Sequence, residues 1–322
     1  MTRAARAVRA IHWADIGEST CVAGIWFLHA VHRLLGRVPF LLCLYPVVLY
    51  YWATRGLARR ASMQYLQRLQ AHRGLPAPTR RDTLRHFLSF ADTLLDKMLA
   101  LSGRYRFEHV RFEGREPLMA MIERGEGALF VTAHVGCLEL CQATAQRQPG
   151  LKLNVLVHTA HAERFNRLLH RLAPDSGVSL LQVTEVTPAT AVLLAEKVAR
   201  GEFVAIAGDR VPVAAGAGGT ARVRFLGHEA PFPIGAYVLA ALLKCPLYMM
   251  ACVREHGGHA VVFERLAERV ALPRGQRPQA LASYATQFAH RLEALLARSP
   301  YDWFNFFPFW DSQEKWHEQP AA

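Results

Sequence analysis

Several catalytic signatures are missing from this chain, and each absence narrows its chemistry. No C-x-x-C pair occurs. The six cysteines (Cys21, Cys43, Cys137, Cys141, Cys245 and Cys252) have the spacing of neither a zinc knuckle nor a disulfide framework, and read as reduced, mostly buried thiols of a cytosol-facing protein. There is no G-x-S-x-G elbow, which argues against a serine hydrolase of that pattern, and no H-E-x-x-H, which removes the zincins. GAGGT (216–220) is glycine-rich but lacks the lysine and hydroxyl residue of a phosphate-cradling loop, and reads as a flexible loop near a site. Acidic residues are scarce, 26 against 38 Lys and Arg, so the formal charge is +12 and an anionic partner is expected: nucleic acid, anionic lipid or an acidic carrier protein. No nucleic-acid-binding motif accompanies that charge, which is spread over helices. The aromatic run WFNFFPFW (303–310) could serve as a base-stacking platform, but packing against a sheet or a membrane is the simpler reading. There are no repeats or low-complexity tracts, and 52% hydrophobic residues over 322 positions suffice for a sizeable core.

What is present begins with an apolar, basic N-terminus. VPFLLCLYPVVLYYWAT (38–54) runs without a charge and is at the short edge of a spanning helix, about 17–25 residues. Pro46 should kink it, and its tyrosines and Trp52 gather at one end as at a membrane interface. Arg3, Arg6 and Arg9 precede it and Arg55, Arg59 and Arg60 follow, so the flanking charge selects no orientation. The segment reads as a membrane anchor, spanning or re-entrant, and basic residues on both sides suit one that dips in and returns to the cytoplasmic face. No cleavage site of the A-x-A kind follows closely, so no removable signal peptide is expected. The alternative is a buried core helix. Residues 1–73 therefore read as a basic and hydrophobic anchoring region, and 74–322 as one α/β domain.

Within that domain, apolar strands alternate with helices. Strands are predicted over 128–133, 151–158, 203–209, 246–253 and 259–266, and helices over 82–102, 115–124, 161–173, 189–200, 236–244 and 280–299. The unit around 187–201 is the best punctuated: Thr187 fits an N-cap, Pro188 the first helical position and Gly201 the stop. The pattern implies a largely parallel central sheet flanked by helices, with a hydrophobic, membrane-associated helical segment ahead of it. In such sheets chemistry gathers at the carboxyl ends of the strands, where His134 and Asp209 both lie.

GALFVTAHVGCLELCQA (127–143) carries the main candidates, His134 and Glu139. Five residues along a continuous helix is about 140° of rotation, so the two would not share a face. They can meet only if His134 lies in a loop before the helix. Glu139 then accepts from one ring nitrogen and the other becomes a base; the alternative is a buried histidine satisfied by a local carboxylate. His134, Cys137 and Cys141 lack a further convincing ligand, so no metal is expected. A base without a nucleophile suits direct transfer, in which an acceptor hydroxyl is deprotonated and attacks a thioester, whose thiol, of pKa about 8.5, leaves without much acid help. Asp209 and Arg210 read as binders of the acceptor or of a phosphate, or as a structural ion pair.

HVGCLE matches the H-x-x-x-x-[D/E] motif of the lysophospholipid acyltransferase superfamily. It resembles most the branch of bacterial lipid A biosynthesis (lauroyl/myristoyl) acyltransferases, where glutamate holds the last position. AIAGDR (205–210), VRFLGHEAPFPIGAYVLAALLKCPLY (223–248) and PYDWFNFF (300–307) extend the likeness along most of the chain. The resemblance implies O-acyl transfer to a hydroxyl of a lipid or glycolipid from acyl carrier protein or acyl-CoA, with His134 as base, Glu139 as its partner, and no cofactor. It implies residence on the cytoplasmic face of a bacterial inner membrane, at an anionic surface. Where lipid A enzymes carry a functional arginine in an R-G-R-like stretch, this chain has RLAPDSGVS (171–179), leaving Arg164 and Arg210 as substitutes that would bind substrate. The competing readings are a non-catalytic membrane scaffold of the same fold, a basic nucleic-acid binder, and a hydrolase passing the acyl group to water.

Overall fold

Strands buried on both faces need helices on both sides, and the nearly continuous apolar runs of this chain form such strands. The computed structural model describes residues 22–101, 103–146, 151–157, 178–182, 187–211 and 219–310. Among them, β1 (Val110–Glu113), β2 (Leu129–Gly136), β3 (Leu153–Val157), β4 (Val178–Gln182), β5 (Phe203–Ala207), β8 (Leu247–Glu255) and β9 (Gly258–Ala267) form one sheet in the order β1-β9-β8-β2-β5-β3-β4. β8, β2, β5, β3 and β4 run parallel, while β9 is antiparallel to β8 and β1 follows β9. The reversal has a local cause. Glu255 pairs with Gly258 across a two-residue turn, His256 and Gly257, both at positive φ (48° and 79°), and so short a link can only join antiparallel strands. β6 (Thr220–Phe225) and β7 (His228–Pro233) make a separate antiparallel hairpin.

Side chains along β2 alternate between two cores. Leu129, Val131, Ala133 and Val135 join one cluster with α7 (Pro188–Ala199), α8 (Gly235–Leu243) and α9 (Arg277–Arg298). Phe130 faces the other, with Leu118 and Met121 of α5 (Glu116–Glu123) and Leu140 and Cys141 of α6 (Leu138–Gln146). α7 starts as its punctuation predicts, the Thr187 hydroxyl accepting from Thr190 N at 3.2 Å.

Among the described residues, four α-helices precede the sheet: α1 (Val22–Leu35), α2 (Arg37–Thr54), α3 (Gly56–His72) and α4 (Arg80–Leu101). α2 lays Phe40, Leu44 and Val48 against Ala91 and Leu95 of α4, and Trp52 Nε1 donates to Thr83 Oγ1 at 2.9 Å. Pro46 sits inside α2 without ending it. The rest of α2 exposes Val38, Leu42, Val47, Leu49 and Tyr50. Among the described residues, α2 is the one helix long and apolar enough to cross a membrane. Tyr65, Leu66 and Leu69 of α3, assigned from sequence to the anchoring region, enter the same core as β2 and β8.

Candidate active site

β2 loses step with one neighbour and keeps it with the other, and that mismatch builds the site. On the β5 side the register holds to Thr132 opposite Ala207, and Gly208 N then donates to Thr132 O at 2.7 Å. A Cβ on Gly208 would stand 2.4 Å from Val131 Cγ2, so only glycine lets the chain pass this close before Asp209. On the β8 side Thr132 pairs with Met250 and Gly136 with Cys252, so four steps on β2 match two on β8. The strand bulges over Ala133–Val135 and releases His134 from the ladder. Gly136 closes the bulge at φ 56°, where a Cβ would lie 1.8 Å from Cys252 O.

The gap beside the bulge is filled from the far end of the chain. Val135 bridges Trp303 in antiparallel fashion, Gly136 N donates to Asp302 O at 2.8 Å, and Phe304 N donates to His134 O at 2.9 Å.

Asp209, only 2% exposed, receives three hydrogen bonds. His134 N donates to Oδ2 at 2.8 Å, Trp303 Nε1 donates to the same oxygen at 3.0 Å, and His134 Nδ1 lies 2.8 Å from Oδ1. Burial alone would raise its pKa, but the His134 ring, the Arg210 guanidinium and the hydrogen bonds together bring it down to about 2. An ionised carboxylate can only accept, so Nδ1 carries the ring hydrogen and Nε2 is left with a lone pair. The His134 side chain is 41% exposed, against 2% for Asp209. The pair is thus a rooted acid under an accessible imidazole.

These contacts revise the sequence reading. His134 lies inside the strand, not in a loop before α6, and the carboxylate on its Nδ1 is Asp209, 75 positions away, where Glu139 was expected. Glu139 stands in the first turn of α6, ion-paired with Lys97 of α4 and 3.9 Å from Cys137 Sγ. The physical reason is that β2 and β5 are direct neighbours, which brings Asp209 to the ring ahead of any residue on the following helix. Asp209, expected to bind substrate, is buried beneath the histidine. Arg210 donates from Nη2 to Phe304 O at 3.2 Å and packs over the Phe307 ring. Arg164 lies outside the described residues, as does most of the glycine-rich loop. Sequence reasoning missed Lys97 and Trp303. The first carried no signal, whereas the second stood in an aromatic run whose indole N–H needed a partner once buried.

A family model for bacterial lipid A biosynthesis acyltransferase matches residues 92–312, well over half of the chain. Comparison with curated proteins gives no match. The matched span runs from the middle of α4 through both halves of the His134–Asp209 pair to the aromatic segment, and on that match the chain belongs to the bacterial lipid A biosynthesis acyltransferase family.

Proposed function

We propose that the protein transfers a fatty acyl group from a thioester, carried by acyl carrier protein or CoA, to a hydroxyl of a lipid or glycolipid at the cytoplasmic face of a bacterial inner membrane. The observation that carries the reading is the Nδ1–Oδ1 contact of 2.8 Å between a half-exposed histidine and a buried carboxylate at the carboxyl edge of the sheet. His134 Nε2 takes the proton of the acceptor hydroxyl as the oxygen attacks the thioester carbonyl. The tetrahedral intermediate collapses, the C–S bond breaks, and the imidazolium returns its proton to the departing thiolate. Asp209 fixes the tautomer and stabilises the imidazolium. The amino end of α6, just beyond Gly136, favours the developing oxyanion. Arg210 supports Asp209 electrostatically. Glu139 enters through its pairing with Lys97 rather than as the ring's partner. Burial, with Glu139 and Cys252 nearby, pushes the Cys137 thiol well up, so direct transfer is favoured over an acyl-cysteine.

The exposed apolar face of α2, bracketed by Arg37 and Arg55, holds the protein on the anionic membrane. The test is incubation of the purified protein with dodecanoyl acyl carrier protein and a bacterial lipid extract. Lipid-bound dodecanoate is the expected product, while free dodecanoate alone would favour a hydrolase. Leu42→Asp with Leu49→Asp should move the protein from the membrane pellet to the supernatant.

A further inference from the structure

We propose that Trp303 is a positioning residue for the Asp209–His134 pair, and that His86 holds it in place. The inference rests on the reading of His134 as base and extends it to the C-terminal segment. Asp209 Oδ2 takes two donors, one from the backbone of its own partner and one from the indole of Trp303 at 3.0 Å. With both in place the carboxylate cannot rotate, and Oδ1 is left for Nδ1 alone.

The indole is itself immobilised. It is fully buried, with ring centroids of Tyr65, Phe225, Phe309 and Trp310 at 5.0 to 5.8 Å. The segment that carries it is tied from three sides. Asp302 accepts from Ser89 of α4 at 2.8 Å and from Arg254 N of β8 at 2.7 Å, and Tyr65 of α3 donates to Pro300 O at 2.8 Å. The third tie is His86, fully buried on α4, whose Nε2 lies 2.8 Å from Trp303 O and whose Nδ1 lies 2.9 Å from Ser62 Oγ on α3. A carbonyl only accepts, so Nε2 carries the hydrogen and the serine hydroxyl donates to Nδ1. The neutral ring is satisfied at both nitrogens.

A single hydrogen-bonded path therefore runs Ser62, His86, Trp303, Asp209, His134. It connects α3 and α4, the second of which packs against α2, to the carboxyl edge of the sheet. The indole N–H also draws charge from Asp209 and weakens its hold on the imidazolium, so the base releases its proton more readily. The charged groups that face Asp209 are the Arg210 guanidinium, after β5, and the His134 ring itself.

The test replaces Trp303 with β-(3-benzothienyl)alanine, which keeps the ring shape and exchanges N–H for sulfur, and leaves those charged groups untouched. Trp303→Phe would also remove the N–H but opens a cavity. The readout is a pH titration of histidine ring nitrogens by NMR on the full chain in detergent, with His134 assigned from the His134→Ala spectrum. The expected result is an upward move of the His134 midpoint, by up to about one pH unit, with its hydrogen still on Nδ1 in the wild type. An unmoved midpoint in the folded analogue would overturn the positioning role. A wild-type ring with its hydrogen on Nε2 would overturn the reading of His134 as base, and this inference with it.

Discussion

Replacing Asp209 by asparagine separates catalysis from folding at this site. In the native protein three N–H groups converge on one carboxylate. An amide offers a single acceptor oxygen. If that oxygen keeps the two donors now on Oδ2, the amide NH₂ faces Nδ1, which must then accept. The ring hydrogen moves to Nε2 and the base is lost. A wrong-tautomer imidazole costs roughly 10⁴-fold in kcat where the effect is established for a histidine–aspartate pair, and a loss on the order of 10³–10⁴-fold is expected here. The stability cost is much smaller. The Asp209 carboxyl lies at about 2 in the folded chain against 3.8 for the free group. A folded value below the unfolded one stabilises above the unfolded value and fades as pH falls toward the folded one, so near neutrality the full contribution is present. It amounts to about 2–3 kcal/mol. Asparagine forgoes it but also escapes the burial penalty, and a fall in melting temperature of no more than about 5–10 °C follows. The assay is transfer from radiolabelled dodecanoyl acyl carrier protein to extracted lipid, alongside thermal unfolding of the same sample. Transfer within a few-fold of wild type by a folded Asp209→Asn protein would refute the dyad.

Other perturbations act through separate features. Gly136→Ala places a methyl 1.8 Å from Cys252 O at a positive φ, and the melting temperature should drop by more than in Asp209→Asn as the bulge is forced open. Burial holds His86 and His259 near 4, below the ordinary 6.5, so the unfolded chain gains protons first; stability should fall as pH drops from about 6.5 to 4, by as much as about 3 kcal/mol per histidine, in equilibrium denaturation. His86→Gln should flatten part of that slope. Lys97→Met and Glu139→Gln should each reduce activity, and the double variant should lose less than the two combined, because each breaks the same ion pair; strict additivity would show that the two act apart.

His134 was legible in the sequence because a strand, a glycine and a helix surround it in order, and α7 because Thr187, Pro188 and Gly201 mark its ends. Its partner was not. Spacing along the chain reveals neighbours on one element, whereas Asp209 arrives through the pairing of β2 with β5. The bulge that turns His134 out of the ladder depends on β8, more than a hundred residues downstream. The β6–β7 hairpin escaped notice because its turn, Leu226–Gly227, places a leucine at φ 49° where asparagine or aspartate would announce it, and because β7 contains two prolines. Leu226 is kept there by Glu293 of α9, which accepts from its backbone N–H at 2.5 Å. The reversal of β9 was readable in principle from the His256-Gly257 turn. Trp303 was readable only as a buried indole in need of an acceptor; packing already explains a run of aromatics, and nothing along the chain names Asp209 as that acceptor.

The most direct test of the central claim is mass spectrometry of both lipid and protein after incubation with dodecanoyl acyl carrier protein and bacterial lipid extract, for the wild type and for His134→Ala. The account predicts an acylated lipid from the wild type, at least a hundredfold less from the variant, and no dodecanoyl adduct on Cys137 or Cys141 in either. Equal product from a folded His134→Ala protein, or a trapped acyl-cysteine, would contradict it.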